Sequence, residues 1–143
     1  MAINNSTETA GRMAARVFTG STYAWLGYDA ARVPGVRVEQ AASTLAIVRK
    51  FVPLPISDAA VVRANGAVQA AAGTLLALGI LPRASAMILA GTLIPTTWAG
   101  HAFWTLEDPA ARKLQRIHFH KNMAMIGGLL FAALDGPRRR PKP

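Results

Sequence analysis

Residues 59–81 read AAVVRANGAVQAAAGTLLALGIL, and this stretch decides the fold. Arg63 is its single ionisable residue, and 64–81 holds none. A helix rising about 1.5 Å per residue crosses a hydrocarbon core of about 30 Å in about 20 apolar residues. Arg63 sits one turn inside the start, where a long side chain snorkels to the interface. Ser57 and Asp58 stand where a helix cap belongs. The stretch therefore predicts a membrane-spanning helix over 59–81.

Working outward, Pro82-Arg83 makes a tight connection to a second charge-free run, 84–99. Pro95 within it removes a backbone N–H and frees the carbonyl of Gly91, whose missing side chain lessens the clash with the ring. Residues 101–116 read as a polar connector, and 117–134 as another span. Asp135-Gly136-Pro137 stops that span, and Arg138, Arg139, Arg140 and Lys142 give a basic tail over 137–143. Upstream, 10–31 is a weaker span. Arg12 and Arg16 must lie near the surface, Thr19 to Thr22 interrupt the apolar run, and Trp25 and Tyr28 suit an interface. Asn5 followed by Glu8 marks its start. Between Pro34-Gly35 and Pro53, the residues Val38, Ala41, Ala42, Leu45, Val48 and Val52 recur at helical spacing. Arg37, Glu39, Gln40, Arg49 and Lys50 gather on the other side. Such a segment, 37–52, is an amphipathic helix in the membrane surface or a loop helix packed on the bundle. The expected fold is thus all-α: an integral membrane four-helix up-down bundle, with an extra amphipathic helix between spans one and two, forming one domain.

Composition agrees. The 143 residues suit one domain; 52% are hydrophobic and 16% charged, and the charges concentrate in connectors. A net charge of +9 suits Lys and Arg meeting anionic lipid head groups. No motif points to nucleic acid. The absence of cysteine excludes disulfides, thiolate nucleophiles and CxxC redox pairs. Residues 1–11 hold no Lys or Arg, so no cleavable signal is expected.

Up-down order brings alternate helix ends together. One end collects Asp29; Arg63, Asn65 and Gln69; Thr96, Thr97, His101 and Trp104; and His118, Lys121 and Asn122. Asn65 and Gln69 share a helix face with Gly66 and Gly73, where small residues permit close approach and amides bond between helices. Lys121 needs water or an acid, and Asp29 at the same depth is the expected partner. The cluster is either structural polar glue or a pocket for a head group or small redox-active molecule. No metal site is expected: His118 and His120 point to different sides of a helix, and no HExxH or dense carboxylate set accompanies His101.

Several runs resemble the DoxX family. Asn65-Gly66 with Gln69, Gly73, 75–79 and Pro82-Arg83 is similar to its second helix. Pro95-Thr96-Thr97 with Gly100-His101 and Phe103-Trp104 is similar to its third helix and loop. His118-Phe119 with Lys121-Asn122 and 127–130 is similar to its fourth. The resemblance covers about 10–136 and implies a multi-pass protein of the bacterial inner membrane. The family name is linked to membrane subunits of thiosulfate:quinone oxidoreduction, and some relatives assist redox-protective enzymes. The implied function is a non-catalytic subunit or scaffold in redox or thiol-stress homeostasis, with membrane lipids and redox enzymes as partners. One rival is a subunit of a quinone-dependent oxidoreductase, with His101, Trp104, His118 and Lys121 near the quinone; another is a small-molecule or lipid carrier. Quinone is the single cofactor these alternatives imply.

By count, Lys and Arg place the long connectors in the cytoplasm, whereas Arg138 to Arg140 directly after the last span favour cytoplasmic termini. The family resemblance favours the second arrangement. Fluorescent-protein fusions at both termini are then expected to fluoresce, and phosphatase fusions there to be inactive; the reverse pattern would invert the orientation.

Overall fold

A computed structural model describes residues 5–134. The chain forms α1 (Asn5–Arg32), α2 (Val36–Val48), α3 (Asp58–Ala77), α4 (Pro82–Gly100) and α5 (Pro109–Leu134), with one 3-10 turn at Phe103–Thr105. Among the described residues there is no strand. The expected stop at 135–137 and basic tail at 137–143 lie outside them.

Local chemistry sets the helix bounds. Asn5, expected as a cap, is instead the first described residue of α1, and Glu8 pairs with Arg12 at 2.7 Å one turn on. The Ser57 hydroxyl accepts from the Ala60 amide at 3.2 Å, capping α3 as its position suggests. Helix α3 ends at Ala77, four residues before its apolar run does. Residues 78–81 turn instead, with φ of 72° at Gly79 and 46° at Leu81. Pro82 then opens α4 at a position that needs no amide hydrogen. Pro95 lies inside α4 without ending it. The last helix starts well before residue 117. Asp108 Oδ2 accepts from the Ala111 amide at 2.7 Å and Pro109 begins the helix, so half of the expected connector is helical. The amphipathic segment is α2, shorter at its C-terminus than 37–52.

Antiparallel α1 and α3 make the most extensive helix contact. Glycines face each other across it: Gly20 and Gly27 on α1, Gly66 and Gly73 on α3. A Cβ added at Gly73 would stand 2.5 Å from the Ala24 amide nitrogen and 2.7 Å from the Gly20 carbonyl oxygen. At Gly20 and Gly27 the nearest backbone atoms would also be 2.5 Å away, and at Gly66 2.7 Å. These backbones touch because all four positions lack a side chain. Helix α3 packs next on α4, α4 on α5, and α2 lies against α3 and α4. The core runs through Tyr23, Ala72, Leu76, Ala86, Leu89, Ala90, Leu93, Ile126 and Leu129. An open cleft separates α1 from α5.

The four segments expected as spans are helical, and no helix among the described residues is long and apolar enough to cross a membrane. The physical causes are specific. The early end of α3 leaves part of its apolar run in the turn. Gly, Ser and Thr dilute α1 and α4, and α5 begins with Arg112, Lys113 and Arg116.

Alanine at any of positions 20, 27, 66 or 73 must push two backbones apart, with a loss of about 1–3 kcal/mol expected per substitution. At Gly127 an added Cβ meets nothing within 4 Å, so Gly127→Ala gains up to about 1 kcal/mol of helix propensity. Unfolding followed by circular dichroism measures both; equal effects at 73 and 127 contradict the close contact.

Candidate functional site

A pocket of about 410 Å³ lies where all five helices converge. Leu26, Leu45, Val48, Val61, Leu93 and Met125 give it apolar walls, while Tyr23, Asn65, Gln69, Thr96, His101 and Asn122 supply polar groups. Most of these polar groups already have partners. Asn65 Nδ2 donates to Thr96 Oγ1 at 3.0 Å, and that hydroxyl donates to the Thr92 carbonyl at 2.8 Å. Asn122 Nδ2 donates to Thr97 Oγ1 at 3.1 Å, and Thr97 donates to the Leu93 carbonyl at 2.7 Å. Each link joins two helices and ends on a main-chain oxygen, which fixes which way the amides face.

Two groups are different. Tyr23 is 2% exposed and Gln69 7%, and among the described residues the Tyr23 hydroxyl and Gln69 Nε2 have no hydrogen-bond partner. A buried polar group left without a partner costs about 1–3 kcal/mol, and native proteins seldom leave one so. Both residues line the pocket.

At the rim, His101 Nδ1 lies 2.7 Å from Gln115 Oε1, and its ring stacks on His118 at 5.3 Å with 19° between the planes. Stacked imidazoles present ring faces to each other, so this contact is not a chelating one. His120 Nδ1 meets the Arg116 carbonyl at 2.8 Å. Among the described residues no three His, Cys, Asp or Glu side chains gather to hold a metal. Beside the histidines, Trp104 packs on Trp98, Phe103 and Phe119 with centroids 4.9, 5.1 and 5.8 Å away.

Arginines tie the helix ends. Arg63 Nη1 donates to the carbonyls of Ala31 and Arg32 at 2.8 and 2.9 Å, capping α1, whose C-terminal carbonyls carry partial negative charge. Arg37 holds Asp29 at 2.9 Å. Arg49 pairs with Asp58 and donates to the Ile56 carbonyl at 2.8 Å. The two ends of α2 are thereby fastened to α1 and α3. This corrects the expected Asp29–Lys121 pair: Asp29 is held by Arg37, eight residues along the chain, and Lys121 is exposed.

Against this geometry, the family model named DoxX matches residues 11–102. The chain belongs to the DoxX family. The match takes in most of α1 and all of α2, α3 and α4, and stops before α5; the resemblance seen in α5 at His118, Lys121 and Asn122 falls outside it. No curated protein and no solved structure matches the chain.

Within this DoxX chain the structure gathers Asn65, Gln69, Thr96, His101 and Asn122 around the pocket. Thr97 and His118 stand directly behind, bonded to Asn122 and stacked on His101. Asp29, Arg63, Trp104 and Lys121 do not line it. Tyr23, Gln40 and Met125, which are not among the expected site residues, also line it. The signal that could have found Tyr23 is its spacing: it lies three residues after Gly20 and four before Gly27, on the glycine face of α1. Arg37 and Gln40 come from α2, whose charges read as a solvated face.

A double-mutant cycle on Asp29→Asn and Arg37→Gln is expected to return about 0.2–1 kcal/mol of coupling, as for a partly exposed pair. The same cycle on Asp29→Asn and Lys121→Met is expected to be additive within about 0.5 kcal/mol. Denaturant unfolding reads both, and coupling only in the second cycle contradicts the observed pairing.

Proposed function

We propose that this DoxX protein is a non-catalytic subunit of the bacterial inner membrane, and that its pocket holds the head group of a quinone for a partner redox enzyme. The observation that carries the proposal is the pair of unpartnered polar groups, the Tyr23 hydroxyl and the Gln69 amide, on residues lining a largely apolar pocket. A quinone ring offers carbonyl acceptors and a flat apolar body. The hydroxyl and the amide both donate, and the volume lies in the range of small-molecule sites. Among the described residues the lining holds no thiol or carboxylate. Its own chemistry is therefore recognition by hydrogen bonding, and the electrons come from another chain.

Membrane placement rests on three features. Large apolar side chains stand outward, with Phe18 and Trp25 73% exposed and Phe131 79%; a water-soluble monomer rarely displays so many. Helices α1 and α3 associate through glycine, the packing that suits a solvent as apolar as the side chains. The hydroxyls of Thr22 and Thr74 donate to carbonyls one turn back at 2.8 Å. Their polarity is spent inside the helix, so average hydropathy undercounts how well these helices suit lipid. The exposed Trp98, Ile94 and Leu130 continue the same outer surface.

Purified protein in neutral detergent is expected to bind a short-chain quinone saturably, followed by tryptophan fluorescence. Tyr23→Phe and Gln69→Leu should each weaken binding about tenfold, or about 1.4 kcal/mol. Gln69→Leu should leave the empty protein as stable or more so by about 1 kcal/mol, because it removes a buried unpaired amide. Absence of saturable binding, or variants that bind like the parent, would sink the quinone assignment.

A further inference from the structure

The larger opening in the molecule is not the quinone pocket but the cleft of about 980 Å³ between α1 and α5. Its walls are mostly apolar: Phe18, Leu76, Met125, Leu129, Phe131 and Leu134. Gly128 and Ala132 keep the α5 side low, and a Cβ at 128 would meet nothing within 4 Å. Among the described residues that line it, the charged ones are Arg12 and Arg16, at one end. Arg12 is engaged by Glu8 at 2.7 Å. Arg16 is held differently. Its guanidinium lies over the α3–α4 turn, with Cζ and Nη1 each 3.6 Å from where a Cβ on Gly79 would stand, and its Nε is buried without a partner. The positive φ of Gly79 shapes the turn beneath the guanidinium.

We infer that this cleft seats one anionic phospholipid, with its phosphate on Arg16 and an acyl chain along Phe18, Met125, Leu129 and Phe131. The inference rests on the membrane placement proposed above and is independent of the quinone. An apolar slot with a cation at one end is complementary to an amphiphile whose anionic group and chain are joined end to end. From Arg16 to Tyr23 the helix rises about 10 Å, so the chain runs inward along α1 from the charged end. A second copy of the protein fits less well. In a two-fold contact the same patch meets itself, which brings Arg16 towards its own copy rather than towards an anion. A foreign helix would have to bring its own carboxylate to Arg16. A phospholipid brings the phosphate with the chain.

The test uses the full chain in neutral detergent, titrated with phosphatidylglycerol, phosphatidylcholine or inorganic phosphate. Native mass spectrometry counts retained lipid, and thermal unfolding reads stabilisation by mass action. One phosphatidylglycerol per chain is expected to be retained and to raise Tm by a few degrees, with phosphatidylcholine and inorganic phosphate giving little. Arg16→Gln should weaken phosphatidylglycerol binding about tenfold. Gly128→Leu, which fills the cleft where nothing opposes a side chain, should do the same while leaving helicity intact. Equal binding of the two lipids, equal stabilisation by inorganic phosphate, or unchanged binding in both variants overturns the site. So does a dimer that Gly128→Leu dissolves. Release of the protein from membranes by an alkaline wash overturns the membrane placement and the lipid site together. A protein that stays in the membrane fraction but fails the lipid comparison overturns the lipid site alone.

Discussion

The contact between the backbones of α1 and α3 is the constraint on which the remaining structure depends. Two glycines seven apart on each helix, at 20 and 27 and at 66 and 73, let main-chain atoms approach where a methyl group would collide. Because the match is antiparallel and backbone to backbone, it sets both the register and the separation of the two helices. Register decides what lies beside what. Tyr23 falls between the two glycines of α1, and Gln69 between the two of α3, so the same contact that joins the helices carries both unpartnered polar groups into the interior.

The pocket forms because the other helices cannot approach as closely. Helices α3, α4 and α5 meet through larger side chains, Leu76, Leu89, Leu93, Ile126 and Leu129 among them. Where those side chains give way to Asn65, Thr96 and Asn122, polar links between helices replace apolar packing and space opens beneath α2. Helix α2 closes that side because Arg37 and Arg49 fasten its two ends to Asp29 and Asp58. Exposed ion pairs contribute little stability individually. Their effect here is positional: they hold a short helix with few buried side chains over the pocket.

The helices themselves were legible in the sequence, since long charge-free runs and the Ser57 cap are local signals. So was the gathering of Asn65, Gln69, Thr96, His101 and Asn122 at one end, because alternating helix direction suffices to bring them together. The start of α5 was misjudged although Asp108-Pro109 is a clear helix opening; the charged residues after it resembled a connector. Partner choice was not legible. Asp29 and Lys121 are expected at one depth, but Arg37 holds Asp29 across the turn at Pro34-Gly35, and that turn geometry is absent from any periodicity. Tyr23 was missed for a related reason. Gly20 falls among the residues, Thr19 to Thr22, that interrupt the apolar run, whereas together with Gly27 it is the surface on which α3 lies.

Tyr23 and Met125 line both the pocket and the α1–α5 cleft, so the two openings share a wall. A tyrosine fixed by the glycine face of α1 stands on one side of it and an unbranched methionine on the other. Methionine has three rotatable bonds and fills irregular space, so the wall is deformable on the α5 side alone. The wall can then yield towards α5 without parting α1 from α3. The rigidity of one helix pair and the looseness of the other are thus parts of a single arrangement. The glycine contact holds the polar groups still, and the α1–α5 side stays open as a cleft.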